Sequence, residues 1–452
     1  MRGNSAAYQP WENREVPLDD MAMRQHARAL AVTLNAPRRA PLVLCPREEY
    51  SAVMREARRL AGETETLPAS LEWLRENGRM ADSLFAALRP SARFSLPARE
   101  DGLPRIQALL EEIARHSDAP LTPERLTGCL TAFDEVRALE MNELWAVPSA
   151  LSAVLQRAYV AAAKRAAAAQ KERVAALRWV DSGAALGAGG LSGRGSAFFE
   201  CALQALNERE EMSKRAALEK WLSDHDRPAE KVIALEHERQ ALDRLRLDHA
   251  LAALRMLKEL DWSECFGRVS RVEQTLSRDP AGTYPRMDAA SRALVRGRVT
   301  HLAGRCNIGE ATLSAAALAA AGNGEGGRRE ITWWFMTDEG TEALLRGMGV
   351  KARGVKRIHP DPGARKYRAG VLLLAAALTA LLFRGCGWRS LIALPVALCA
   401  SAQALARLAG RLVQPRRLLR MDADAPLPEA WRAMVVMPVL LSSPGRASET
   451  AF

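Results

Sequence analysis

The sequence predicts a mainly α-helical protein in which a long helical region precedes a pair of apolar helices. Hydrophobic residues make up 48% of the 452 residues and aromatic residues only 5%, a balance that favours helices over sheets. Apolar residues recur at helical spacing through much of positions 21–350. Two uncharged apolar runs follow within positions 369–406. A chain of this length can form two or three domains.

The N-terminus and the cysteines exclude some classes of protein. Residues 1–20 carry no apolar core of a secretory signal peptide, and we expect them to be disordered. The seven cysteines are scattered and never spaced as Cys-x-x-Cys. The sequence therefore predicts neither a disulfide framework nor a zinc site, and it favours a reducing compartment.

A first helical domain is predicted over residues 21–180. Thr122 is a suitable N-cap, Pro123 suits the first helical position and Glu124 supplies an acid in the first turn, so a helix is expected to begin here. Its apolar residues recur at helical spacing: Leu126, Leu130, Phe133 and Val136. Residues 160–177 are rich in Ala and also predict a strong helix.

A glycine-rich stretch at 181–196, "DSGAALGAGGLSGRGS", is predicted to be a flexible linker. It superficially resembles a phosphate loop, but it lacks the Gly-Lys-Ser/Thr ending and no strand precedes it. A second helical domain is predicted over 197–350. One helical stripe in this domain is explained by core packing: Phe266, Val269, Val272 and Leu276.

Two other features of the second domain were considered as binding sites. His237 and Glu238 begin like a zinc-protease motif, but Ala241 occupies the place of the second His, so no metal site is predicted. Residues 329–345 predict a short aromatic strand followed by a helix. Its aromatic residues, Trp333, Trp334 and Phe335, are expected in core or interdomain packing, with a sugar platform as the alternative.

The net charge of +11 is concentrated in one segment. Residues 351–420 hold fourteen Lys and Arg and one acid, Asp361, for a net charge of +13, so the rest of the chain is near −2. This segment brackets the most apolar part of the chain. The charge pattern therefore indicates a membrane partner and argues against nucleic acid.

The two apolar runs are predicted to form a transmembrane helical hairpin at 369–406, after a basic juxtamembrane segment at 351–368. The runs hold fifteen and seventeen residues, somewhat short of the ~20 that span a bilayer. The alternative is a buried helical hairpin in a soluble core. The flanking residues favour a transmembrane hairpin over a soluble one. They predict that both chain ends lie on the cytoplasmic side and that the basic flanks contact anionic lipid. They are Arg365, Lys366, Arg368, Arg384, Trp388, Arg389, Arg416 and Arg417.

The last segment, 407–452, contains an apolar run at 434–441 that is typical of a buried parallel strand, although Pro438 weakens this interpretation. Asp422 and Asp424 have the spacing of a metal-binding carboxylate pair. They precede that strand, whereas ligands in such sheets lie at the carboxyl ends of strands, so they are interpreted as a polar linker. No catalytic, cofactor-binding or metal-binding residue is predicted in this chain.

Several stretches together resemble the cyclic β-1,2-glucan synthases. Residues 67–89 are similar to a Pro-Ala-x-Glu-Trp-Leu-x-x-Asn segment of that family, and 130–151 to its Glu-Leu-Trp-Ala-x-Pro element. Residues 261–296 resemble its Trp-x-x-x-Phe…Asp-Pro-Ala-Gly-x-Tyr-x-x-Met-Asp block, and 414–443 its link into the transferase. The matching residues are Glu72, Trp73, Asn77, Glu143, Trp145, Pro148, Trp262, Phe266, Asp279, Pro280, Gly282, Tyr284 and Asp288. Near position 330 the family has His-Val-Gly-Tyr-Tyr, where this chain keeps an aromatic pair, Trp333 and Trp334, but lacks the His.

The resemblance implies a part of a bacterial inner-membrane enzyme. Members of this family join a membrane glycosyltransferase of family 84, which uses UDP-glucose and a divalent metal, to a phosphorylase-like region of glycoside hydrolase family 94. The chain resembles only the portion before the transferase, ending in the first strand of that α/β domain. We therefore expect a truncated or frameshifted product, inactive alone, whose helical region scaffolds or regulates the transferase.

The alternative is a free-standing, non-catalytic helical membrane adaptor. For either function the expected partners are the bilayer and either a separate glycosyltransferase or phosphorylase polypeptide or β-glucan.

Overall fold

The computed structural model is mainly helical and falls into two compact units, Met1–Arg271 and Val272–Phe452. The residues that it describes are 18–63, 67–91, 93–117, 119–182, 191, 193–350, 369–370, 372–377, 380, 395–396, 399–400, 402–403, 407 and 418–422. The predicted glycine-rich linker lies, in sequence, within the first unit. The predicted domain boundaries themselves stay predictions.

The first unit contains ten helices among its described residues. They are α1 Asp20–Thr33, α2 Arg47–Ala61, α3 Ala69–Ala87, α4 Arg105–Arg115, α5 Pro123–Val136, α6 Met141–Asp181, α7 Ser196–Glu208, α8 Met212–Asp224, α9 Ala229–Glu259 and α10 Trp262–Val269. Two short strands, β1 Arg38–Ala40 and β2 Leu96–Ala98, pair antiparallel with Arg39 opposite Pro97. The sequence had not predicted this pair.

The helix predicted from Thr122 is confirmed. The Thr122 hydroxyl accepts a hydrogen bond from the Arg125 N–H at 3.2 Å, and Pro123 occupies the first helical position, where its missing N–H costs nothing. Leu126, Leu130 and Phe133 are fully buried, whereas the fourth residue of the stripe, Val136, is exposed at the end of α5.

Helix α6 is the axis of the first unit and includes the predicted helix at 160–177. It is 41 residues long and packs against α2, α3, α4, α7 and α9. Small alanines on its buried faces, such as Ala153, Ala162 and Ala163, allow these neighbours to approach closely. Tyr159, entirely buried, fills the space towards α2 and α3, where its ring lies 5.5 Å from that of Phe85.

A second apolar cluster lies between the end of α6, α7, α8 and the start of α9. Phe198 and Phe199 meet edge to face at its centre, with ring centroids 5.4 Å apart. Leu191, from the glycine-rich stretch, is buried in this cluster. The cluster also contains Val180, Leu206, Leu218, Leu222 and Val232.

The second unit is built from shorter helices. They are α11 Arg271–Leu276, α12 Ala289–Cys306, α13 Glu310–Gly322, α14 Ile331–Met336 and α15 Asp338–Gly347. Helices α12 to α15 pack on one another around Val299, Leu313, Ile331 and Phe335, which are all fully buried. The predicted stripe from Phe266 to Leu276 is buried as expected, but Ser270 interrupts it between α10 and α11.

The aromatic strand predicted near residue 331 is wrong, because residues 331–336 form helix α14. Trp333 and Trp334 favour a strand by local preference. Tertiary contacts override it: the Ile331 N–H donates to the carboxylate of Asp279 at 2.8 Å, which fixes the start of the helix. Ile331 and Phe335, four residues apart, then point to the same buried side.

The predicted two-helix transmembrane hairpin at 369–406 is also wrong. Among the residues that the structure describes, none of the helices combines the length and the apolar character needed to cross a bilayer. The physical reason is length: each uncharged run is shorter than the ~20 residues required, and Arg384 and Arg389 separate the two runs.

Other predictions fall outside the described residues. These are residues 1–17 of the N-terminus predicted as disordered over 1–20, the strand at 434–441, Asp424, and the eight basic and aromatic residues named as membrane flanks. Asp20, the last residue of that predicted N-terminal segment, begins α1.

Candidate functional site

The first predicted motif builds the start of α3 around Trp73. Trp73 is buried, with its ring 6.3 Å from that of Tyr159. Asn77, one turn later, donates its side-chain amide to the Trp73 carbonyl at 3.0 Å. Glu72 is exposed and lies 3.7 Å from Arg75. The motif therefore fixes a helix and its aromatic anchor.

The second motif places a buried carboxylate at the start of α6. Glu143 accepts the Glu140 N–H at 2.9 Å as part of a capping box. Arg105 of α4 donates to both oxygens of Glu143, at 2.7 and 2.5 Å, and also to the Ala138 carbonyl at 2.9 Å. The Glu143 side chain is 0% exposed and that of Arg105 8%. One carboxylate thus joins α4 to the first turn of α6.

Burial and ion pairing act against each other at Glu143. Burial raises the pKa of its carboxyl, and the hydrogen bonds from Arg105 oppose that rise. Because its oxygens accept hydrogen bonds from Arg105 and from the backbone of Glu140, the carboxylate has a structural role.

The second and third motifs meet at a proline inside α6. Pro148 has no N–H, so the carbonyl of Leu144, four residues earlier, lacks its usual helical donor. The indole Nε1 of Trp262 at the start of α10 donates to this carbonyl at 3.0 Å. Trp262 thereby satisfies a backbone group that Pro148 leaves open. Trp145 is half-buried on the same turn of α6, and Phe266 is buried one turn into α10.

In the second unit, Asp279 organises a tight loop. Pro280 and Ala281 form the corner, and the Gly282 N–H donates to the Asp279 carbonyl at 2.9 Å, as in a turn with Pro at its second position and Gly at its fourth. Gly282 has φ +67°, a conformation that glycine adopts without strain. The sequence Asp279-Pro280-Ala281-Gly282 by itself predicts a turn, and this prediction is confirmed.

The Asp279 carboxylate is saturated with donors. Its oxygens accept the N–H groups of Thr283 and Tyr284 at 2.9 and 3.1 Å, the Thr283 hydroxyl at 2.7 Å and the Ile331 N–H at 2.8 Å. With its lone pairs taken by these groups, Asp279 acts as a structural clamp between the loop and α14.

Beside this loop lies a buried ionic centre on Glu273. The Tyr284 hydroxyl donates to it at 2.6 Å and Arg296 at 2.7 Å, while Arg292 lies 3.6 Å away. Burial and the neighbouring carboxylate raise the pKa of the Tyr284 hydroxyl far above its usual range. The hydroxyl is therefore a fixed hydrogen-bond donor and not a proton source at neutral pH.

The end of the third motif starts α12. Asp288 is its N-cap and accepts the Ser291 N–H at 2.7 Å; the hydrogen bonds from Ser291 lower the pKa of the Asp288 carboxyl. A short segment at 418–422 pairs with this turn: the Arg420 carbonyl accepts the Asp288 N–H at 3.1 Å. The backbone N–H of Asp422 donates to the Arg286 carbonyl at 2.8 Å, so the chain around Asp422 belongs to the folded second unit.

Three cysteines of the first unit are poor nucleophiles. Burial raises the thiol pKa of Cys45, Cys129 and Cys201 to about 11 each. At neutral pH these three are protonated thiols that serve as small apolar side chains.

An open groove of about 460 Å³ lies between the start of α3 and one face of α9. Ala69 and Trp73 line one side. The other side presents residues three or four apart on α9: His237, Gln240, Ala241, Arg244, Leu245 and Asp248. The mixture of an aromatic ring with amide, guanidinium and carboxylate groups suits a polar ligand with hydroxyl groups, and the volume lies within the usual range for ligand sites.

Sequence reasoning found the motif residues but missed their partners. Arg105 and Arg296 are members of the buried ionic centres, yet nothing local in the sequence marks them, whereas Glu273 lies within the resembling block at 261–296. The polar face of α9 has a signal, because His237, Gln240, Arg244 and Asp248 recur at helical spacing, but that spacing alone predicts only a solvated helix face.

These features define a helical protein in which the motif residues cap, join and orient the helices. No protein-family model matches the chain. Over 286 residues it is 23% identical to the cyclic beta-(1,2)-glucan synthase NdvB of Rhizobium meliloti (strain 1021), a match that covers 58% of this chain and 10% of NdvB. The chain thus spans about a tenth of the length of this relative. The predicted resemblance is confirmed as a distant relation to a cyclic glucan synthase; the phosphorylase-like region stays an expectation.

The pairing of Pro148 with Trp262 predicts a coupled effect on stability. Trp262→Phe keeps an aromatic ring but leaves the Leu144 carbonyl without a donor, so we expect the free energy of unfolding to fall by about 1–3 kcal/mol. Urea unfolding of the whole chain, followed by circular dichroism, measures the change.

The matched control is the same substitution in a Pro148→Ala background. There a backbone N–H at position 148 can reach the Leu144 carbonyl, and the loss on Trp262→Phe should shrink. Equal losses in the two backgrounds would show that the indole does not compensate for the proline.

The ion pair of Glu143 predicts a pH-dependent variant. Arg105→Met leaves a buried carboxylate without its cation, and we expect a loss of about 3–5 kcal/mol at pH 7.5. Burial raises the folded-state pKa of Glu143 above its unfolded value, so its contribution to stability is present at low pH and is lost as pH rises. The variant should therefore recover part of its stability at pH 5.

Thermal melts of wild type and variant between pH 5 and 8 test this. Adding Glu143→Gln to Arg105→Met removes the titrating group and should abolish the recovery. A recovery that persists in the double variant would assign it to another residue.

Proposed function

We propose that this chain is a helical, non-catalytic scaffold region of a cyclic β-1,2-glucan synthase-like glycosyltransferase. The distant similarity to NdvB supports the relation to that class of enzyme. UDP-glucose and a divalent metal are assigned to the catalytic region of the complete enzyme and not to this chain. We place the region at the cytoplasmic side of the bacterial inner membrane, where the basic segment 351–368 would meet anionic lipid.

One observation supports the scaffold function: the motif carboxylates of Glu143 and Asp279 are fully engaged in hydrogen bonds inside the fold. Glu143 is engaged by Arg105 and by the backbone of Glu140, and Asp279 by four close donors. A general base needs a free lone pair within reach of substrate, and a sugar-nucleotide metal needs unengaged carboxylate oxygens. These two acids meet neither requirement and instead hold helices in place.

Turnover of UDP-glucose tests this function directly. Purified chain incubated with UDP-glucose and Mg²⁺ or Mn²⁺ should form no glucan and release no UDP, because its motif acids are engaged in structural contacts. NdvB assayed in parallel is the positive control. Glucan formation by this chain alone would contradict the proposal.

A chimera separates a scaffold of this enzyme class from an unrelated adaptor. Replacing the aligned region of NdvB by the corresponding residues of this chain should retain glucan synthesis. The same chimera carrying Arg105→Met should lose it, since the start of α6 is then weakened. A free-standing adaptor, the alternative function, predicts that neither chimera synthesises glucan although both accumulate.

The groove between α3 and α9 supports a second function, the binding of β-glucan. Sugars are recognised by aromatic faces together with planar polar groups that exchange hydrogen bonds with hydroxyls. The small accessible part of the otherwise buried Trp73 lines one wall, and Gln240, Arg244 and Asp248 supply the polar groups. Such a groove would hold part of the growing or finished glucan beside the scaffold.

Calorimetric titration with linear β-1,2-glucan oligosaccharides tests the groove. Gln240→Ala combined with Asp248→Ala should weaken binding about tenfold or more, because two hydrogen-bonding groups are lost. Lys258→Ala, on an exposed part of α9 outside the groove, is the control and should bind like wild type. Wild-type affinity in the double variant would exclude the groove as the site.

A further inference from the structure

Three side chains of the first unit converge in a way that neither the motifs nor the proposed function explains. His26 lies on α1, while Glu112 and His116 lie one turn apart at the end of α4. One ligand atom from each residue lies within 4.8 Å of the other two. His26 and His116 both direct Nε2 towards the same oxygen of Glu112, Oε2, at 3.4 and 3.6 Å.

We propose that His26, Glu112 and His116 form a binding site for a divalent transition-metal ion, Zn²⁺, which ties α1 to the end of α4. Two imidazoles and one carboxylate are a ligand set that Zn²⁺ accepts, with water in the fourth position.

Two of the three separations match those between ligands of a tetrahedral ion, and the third, between the two imidazoles, is at most 4.8 Å. With metal–ligand bonds of about 2.0–2.2 Å, neighbouring ligand atoms of a tetrahedron lie about 3.3–3.6 Å apart. The two distances from Glu112 Oε2 fall in this range. Both distances are longer than the about 2.7–3.2 Å of typical N–H···O hydrogen bonds, so binding an ion would replace only weak direct contacts to Glu112 Oε2.

The surroundings of the cluster also fit a bound cation. Arg115 lies 3.1 Å from the other carboxylate oxygen of Glu112, Oε1, and so orients the carboxylate while leaving Oε2 towards the two histidines. His116 is the C-cap of α4, where the backbone carbonyls carry partial negative charge that favours a cation.

The two histidines differ in burial, so one holds the site rigid and the other leaves it open to solvent. The His116 side chain is 9% exposed and fixed between α1 and α4, whereas the His26 side chain is 31% exposed. The His26 ring can therefore rotate to complete the coordination, and an ion can enter from solvent on that side. The two rings already lie edge to face, with centroids 5.0 Å apart.

Zinc titration of the whole chain, purified without a histidine tag and stripped of metal by a chelator, tests the site. Competition with a chromophoric zinc chelator should show one high-affinity Zn²⁺ per chain. Zn²⁺ should also raise the melting temperature, because it binds the folded state.

His26→Ala is the decisive variant, since this side chain is partly exposed and its loss leaves the core intact. It should weaken Zn²⁺ binding by at least about tenfold, and Glu112→Gln should do the same. The matched control is His249→Ala, a partly exposed histidine of α9 outside the cluster, which should bind Zn²⁺ like wild type. Absence of stoichiometric Zn²⁺ binding by wild type, or unchanged binding in His26→Ala, overturns the proposal.

Discussion

The first unit depends on one buried carboxylate, that of Glu143. Burying a carboxylate costs free energy of folding unless a cation balances its charge and donors satisfy its oxygens. Here Arg105 supplies the charge and the Glu140 backbone supplies a further donor. The consequence is geometric, because satisfying Glu143 fixes α4 against the first turn of α6. Since α6 also packs against α2, α3, α7, α9 and α10, the placement of much of the unit follows from this pair.

The proline of α6 shows that two motif residues far apart in sequence can depend on one contact between their segments. Pro148 breaks one helical hydrogen bond, and the donor that replaces it belongs to Trp262, more than one hundred residues later. Neither residue is explained by its own helix. Together they remove an unsatisfied backbone carbonyl and attach α10 to α6. The Asp279 loop follows the same logic in the second unit, where one carboxylate orders its own turn and also the start of α14.

Local rules predicted what local interactions decide. Thr122 and Pro123 marked a helix start and Pro280 with Gly282 marked a turn, because caps and turns are set by residues a few positions apart. Residues 331–336 were predicted as a strand and form a helix, because the deciding hydrogen bond comes from Asp279. The hairpin at 369–406 failed because apolar character without sufficient length does not make a membrane span. Arg105 and the His26 cluster depend on long-range contacts, which no sequence window contains.

A family resemblance does not distinguish residues that hold the fold from residues that bind or react, but the structure does. In this chain the motif residues with the clearest contacts, Glu143, Trp262, Asp279 and Tyr284, are engaged with partners inside the fold. A motif of this kind identifies a way of packing helices, and a distant relative that keeps it keeps the packing. Chemistry requires groups that are exposed and incompletely satisfied, such as the polar face of α9 beside Trp73 and the partly exposed imidazole of His26. These groups lie outside the shared motif or at its margin, so ligand binding by this chain is to be sought there, beside the scaffold role of the motif residues.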